Sequence, residues 1–175
     1  MSFISLGLPD SMLGAAWPMI YPTIGADVSM AGFISMTACI GTVISSLSFS
    51  KIARRFSTRV ITAFSIFVTS FALFLMSKAT SIYMMLPISL LLGLGGGCVD
   101  SALNNYVSLH YSTGAMSFLH GFWGVGTTIG PILLGILIPL GYTWRTGYVS
   151  LSAIQGVILI LSLLAFPLWK IKEKD

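Results

Sequence analysis

Leu90-Leu91-Leu92-Gly93-Leu94-Gly95-Gly96-Gly97-Cys98-Val99-Asp100-Ser101-Ala102-Leu103-Asn104-Asn105-Tyr106 is apolar enough to cross a bilayer, yet it carries a carboxylate near its centre. An ionised side chain at that depth costs roughly 2.5–3.5 kcal/mol on insertion scales, so it usually faces a cavity, a partner or a substrate path. Asp10 poses the same problem inside Phe3-Ile4-Ser5-Leu6-Gly7-Leu8-Pro9-Asp10-Ser11-Met12-Leu13-Gly14-Ala15-Ala16-Trp17. The chain therefore reads as a membrane protein with a polar interior.

Composition agrees. Of the 175 residues, 55% are hydrophobic and 8% charged, and mean hydropathy is +0.93, whereas soluble domains are about a quarter charged. The net charge of +4 comes from a few bases beside apolar segments, not from an extended patch, so nucleic acid is not an expected partner. Cys39 and Cys98 lack CxxC or metal spacing and are expected to be buried thiols. The first residues have no basic n-region, and Pro9, Asp10, Pro18 and Pro22 interrupt them, which excludes a secretory signal. Gly95-Gly96-Gly97 lies within a hydrophobic stretch, not after a strand, and no HExxH, GxSxG or Walker pattern occurs. No enzyme, cofactor or metal is expected.

A hydrocarbon core about 30 Å thick needs roughly 20 apolar residues per helix. That rule predicts an all-α, polytopic protein, a single bundle over 1–175 with six transmembrane helices. The spans are expected at about 2–24, 30–49, 60–76, 83–107, 116–140 and 149–169. An even number puts both termini on one side. Lys51, Arg54, Arg55, Arg59, Lys170, Lys172 and Lys174 then share a face, opposite Lys78 and Arg145. The positive-inside rule makes that face cytoplasmic and places the chain in a plasma or inner membrane. Trp17, Tyr21, Tyr83, Tyr142, Trp144 and Trp169 fall near span ends, as headgroup-level rings or as packing residues.

With Met1 near the cytoplasmic face, Asp10 lies about 14 Å along its helix, and Asp100 lies roughly 15 Å in from His110. Both are near mid-depth, where one cavity could hold them. Desolvation favours the neutral form of a carboxylate, so proton binding is a natural use for an intramembrane acid. Asp10 could alternatively cap the turn after Pro9. Gly93, Gly97, Asp100 and Asn104 recur at helical spacing, so Asn104 can meet a hydroxylated ligand or glue helices. His120 suits a proton relay, a sugar ligand or a structural hydrogen bond, and Trp123 suits stacking on a ligand or on a helix. Gly126 and Gly130 permit close helix packing, and Pro131 marks a kink. Three prolines make the first helix discontinuous, a device transporters place at binding sites.

The loop Ser50-Lys51-Ile52-Ala53-Arg54-Arg55-Phe56 resembles the Asp-basic-x-Gly-basic-basic loop of the major facilitator superfamily, with Ser50 for the acid and Ala53 for the glycine. Gly126-Thr127-Thr128-Ile129-Gly130-Pro131-Ile132-Leu133-Leu134-Gly135 is similar to that family's fifth-helix GxxxGPxxGG motif, with Leu134 for one glycine. Leu8-Pro9-Asp10, Asp100 with Asn104-Asn105, and Leu119-His120-Gly121-Phe122-Trp123-Gly124 look most like the bacterial fucose–proton symporter branch.

The resemblance implies half of a twelve-helix transporter working by alternating access. Asp100 and Asp10 would couple protons. Asp10, Asn104, His120 and Trp123 would bind a small polar solute such as a sugar, and Lys51, Arg54 and Arg55 would form the gating loop. The expected partners are the bilayer, the solute, the proton, and a second six-helix half or another copy. The chain stops where that family's central loop should begin, so a fragment, a split half and a homodimer are all open. Rival readings are a multidrug-type efflux half, favoured by the glycine motif, and a non-transporting membrane fragment or interaction protein.

Overall fold

The computed structural model of the chain describes residues 2–169. In order along the chain it has α1 (Ser2–Asp10), α2 (Met12–Ile24), α3 (Met30–Ala53), α4 (Thr58–Lys78), α5 (Ile82–His110), α6 (Thr113–Leu137), α7 (Trp144–Leu164) and the short α8 (Phe166–Trp169). Among the described residues the fold is all-helical, and α3 to α7 are long and apolar enough to cross a membrane. α1 and α2 supply the sixth rod. Ser11 between them keeps near-helical angles (φ −92°, ψ −13°), so the chain is interrupted there without reversing.

Proline accounts for the interruption. Pro9 has no N–H to give the Ser5 carbonyl, and its ring crowds the preceding turn. α2 stops at Gly25, whose φ of +65° suits a residue without Cβ. α6 passes through Pro131 and ends at Leu137, two residues before Pro139.

Two three-helix units share related crossings. α1 lies on α6 and α3 lies on α5, with α4 against α7 between them; α4 also packs broadly on α5, a contact that α7 does not repeat on α1. At the first crossing Gly7 meets the backbone of Trp123, and Gly126 meets the carbonyl of Ile4. At the second, Gly93 meets the carbonyl of Ala38, and Gly41 that of Leu90. Any Cβ at these four positions would strike backbone, so only glycine lets the helices come so close. Gly93 follows Gly7, and Leu90 follows Ile4, by the same 86 positions that separate Thr69 from Gln155. The central pair obeys the offset too. Arg145 donates to the Ser77 carbonyl at 2.7 Å and Arg59 to the Phe166 carbonyl at 3.5 Å, each meeting a carbonyl near a helix end that lacks an intrahelical donor. Between them Ser70 and Ser152 each donate a hydroxyl to the other's carbonyl, at 3.0 and 2.8 Å. In lipid, where helices gain nothing from excluding water, such bonds and close packing hold the bundle.

α4 is the most buried of the five long helices and α3 and α6 the least. Phe64, Phe71, Phe118 and Ile160 face outward, as lipid-facing residues do. Several expectations change on the structure. Cys39 is exposed, not buried, because α3 leaves one face uncovered; Cys98 is half-buried. Trp17 and Trp144 are packing residues: both are buried, Trp17 donating its Nε1 to the Val28 carbonyl at 2.8 Å and Trp144 meeting Tyr148 edge-on. Tyr83 and Tyr142 are exposed. Lys170, Lys172 and Lys174 lie outside the described residues.

Candidate functional site

Residues from α1 to α7 line a partly open cavity of about 700 Å³, among them Asp10, Asp100, His120, Trp123 and Cys39. Its position follows from the repeat. α1 and α5 are equivalent helices, and each contributes one acid. The acids are not themselves equivalent, since 86 positions after Asp10 stands Gly96 and 86 before Asp100 stands Gly14. Both of those glycines also line the cavity. Asp100 thus sits one helical turn further along its helix than Asp10 does along its own.

Each carboxylate has one donor. Trp123 Nε1 gives a 2.9 Å hydrogen bond to Asp10 Oδ2, from α6 to α1 across 113 residues. Asn104 Nδ2 gives a 2.9 Å bond to Asp100 Oδ1, one turn away on the same helix. Neither donor is a cation, so an ionised form keeps its charge. A shared cavity with two acids and neutral donors can take up a proton or hold a polar or cationic solute.

Of the other predicted residues, His120 lines the cavity with its ring edge-on to Phe3, the centroids 5.9 Å apart. Trp123 lines it too, and its indole N–H holds an acid as well as offering a ring face. Asn104 stands behind Asp100 as its donor, and its buried Oδ1 has no partner. Lys51 lies in the last turn of α3, and Arg54 and Arg55 lie exposed in the turn before α4, away from the cavity. Gly126 and Gly130 pack on α1, the latter beside Ser11. Pro131 lies on α6 one turn after Thr127, which it leaves without a helical donor.

Three hydrogen bonds between elements near the cavity escaped the sequence. Ser11 donates its hydroxyl to the Thr127 carbonyl, the acceptor that Pro131 frees. Gln155 Nε2 on α7 donates to the Ser5 carbonyl, the acceptor that Pro9 frees, at 3.1 Å, and to Thr69 Oγ1 on α4 at 2.8 Å. Side chains of neighbouring helices thus replace both missing backbone donors, as the membrane interior demands. Asp10 is held between these two repairs. Gln155 was detectable in principle as an amide inside an apolar span. Among the described residues no three His, Cys, Asp or Glu side chains gather in a way that could hold a metal.

No curated protein matches the chain. The family model of the Major Facilitator Superfamily matches residues 1–174. That match speaks for a transporter rather than an enzyme, and the helices arranged around a polar cavity correspond to half of the twelve-helix fold. The chain belongs to the Major Facilitator Superfamily.

Proposed function

We propose that this chain is one six-helix half of a proton-coupled secondary transporter that moves a small polar solute, such as a sugar, by alternating access. The observation that carries the reading is that Asp10 and Asp100, on equivalent helices, open onto one cavity. A bound proton removes a charge from the cavity, which links the proton to the polarity of the site. Asp100, backed by Asn104, serves as the proton site. Asp10, oriented by Trp123, serves as a solute acceptor, and His120 lies within the same walls. Rocking of this half against a second half, or against another copy, would open the cavity to each side in turn. Lys51, Arg54 and Arg55 form the gating loop on the cytoplasmic face, where both termini also lie. The six spans form a single bundle. Gly126 and Gly130 serve as packing residues against α1, and an efflux half remains the second reading.

Solute-driven proton movement in proteoliposomes tests this, with the chain alone and with a candidate second half, over a panel of monosaccharides. Uptake of protons with one sugar, lost in Asp100→Asn, is the expected result. Movement of hydrophobic amines instead would replace the sugar reading by efflux. Silence under both conditions from folded protein would leave a non-transporting membrane protein.

A further inference from the structure

We propose that Ser5 Oγ and Gln155 Oε1 form a deep polar subsite of the cavity that reads one hydroxyl group of a neutral, polyhydroxylated solute. The inference rests on the transport reading above and adds to it a contact from α7. Both residues line the cavity and both are 1% exposed.

The orientation of the Gln155 amide is fixed by its partners. The Ser5 carbonyl can only accept. Thr69 spends its hydroxyl proton on the Ile66 carbonyl at 3.0 Å, so toward Gln155 it too can only accept. Nε2 must therefore face these two groups. That leaves Oε1 as a buried acceptor without a donor, and Ser5 Oγ, in the residue whose carbonyl Gln155 holds, is likewise unpartnered.

Buried polar atoms are nearly always paired, and leaving them unpaired is unfavourable. The bonds of Nε2 to the Ser5 carbonyl and Thr69 leave Oε1 over, and the Ser5 hydroxyl could be dispensed with by an alanine without breaking a bond. Its remaining needs define the ligand. Oε1 requires a donor, which excludes a carboxylate or phosphate oxygen. An apolar drug would satisfy neither atom. A cation gains more from Asp10 and Asp100 than from an amide oxygen. A hydroxyl can both donate, as Gln155 Oε1 requires, and accept, as Ser5 Oγ requires, so this one kind of group meets both needs.

The experiment is equilibrium binding of monosaccharides and their monodeoxy analogues to the full chain in nanodiscs, followed by calorimetry. Ser5→Ala removes a hydroxyl that bonds nothing in the fold, so thermal stability without ligand should be unchanged or higher. Affinity for the preferred sugar should fall about tenfold, the size of one net hydrogen bond. Gln155→Met should weaken the sugar by a similar or larger factor. One monodeoxy analogue should bind wild type and Ser5→Ala alike, which identifies the hydroxyl being read. If both variants bind the sugar as wild type does while Asp10→Asn abolishes binding, the subsite is wrong and the cavity reading stands. Equal weakening toward every analogue would make the effect indirect and also overturn the subsite. If wild type binds no polyol at all, the sugar reading falls and takes the subsite with it.

Discussion

Gln155 Nε2 lies 3.1 Å from the carbonyl of Ser5, the acceptor that Pro9, four residues on, cannot reach with a backbone N–H. A helix on one side of the bundle thereby completes the hydrogen bonding of a helix on the other. Restoring the backbone donor should make the side chain dispensable. Gln155→Leu alone should destabilise the chain by about 1–3 kcal/mol, the range for leaving a buried acceptor unpaired. Pro9→Ala in that background should recover a substantial part of the loss. Thermal unfolding in detergent of the two single variants and the double reads the coupling, and simple additivity would refute the repair.

Ser11 and Pro131 make the same prediction at the other junction. Ser11→Ala should cost about 1 kcal/mol, and the cost should shrink when Pro131→Ala returns an N–H to the Thr127 carbonyl. The same unfolding cycle measures it.

The close crossings separate glycines that matter from glycines that do not. Gly126→Ala and Gly93→Ala would press a methyl into the carbonyls of Ile4 and Ala38, and each should destabilise by about 1–3 kcal/mol or more. Gly124→Ala, whose Cβ would meet open space, should be neutral or stabilising by up to about 1 kcal/mol, the helix-propensity gain. Melting temperatures of the three variants decide it.

Cys39 is exposed on the cavity wall, and Cys98 is partly covered. A membrane-impermeant maleimide should label Cys39 well ahead of Cys98, and a bound solute should slow the reaction at Cys39 only. Peptide mass spectrometry after timed labelling gives both rates. Equal labelling would mean that the cavity does not admit water beside α3.

The membrane fold was legible because its cause is local: runs of about 20 apolar residues separated by short polar breaks can only be helices in lipid. Asp10 and Asp100 stood out for the same reason, as charges where the solvent is hydrocarbon. The bond from Trp123 to Asp10 spans 113 residues, and no periodicity announces it. The repairs at Ser5 and Thr127 were half visible. Each proline names the carbonyl it orphans, but only packing reveals which side chain arrives. Gln155 carries no charge, so in an apolar span it stands out far less than a carboxylate does. The three-helix repeat also stayed hidden, because equivalent positions such as Thr69 and Gln155 share geometry without sharing residue type.

That repeat has a consequence for how the cavity could change. Gly14 and Gly96 occupy the seats equivalent to Asp100 and Asp10, and at both a Cβ would meet open space. The bundle therefore offers four interchangeable seats, two filled with acids and two left blank. Exchanging an acid and a glycine within one repeat, Asp10 with Gly14 or Asp100 with Gly96, would move a charge by about one turn along the cavity wall, into a place where a Cβ meets open space. A protein built this way can alter what its interior attracts by a pair of point mutations, with no rearrangement of its helices.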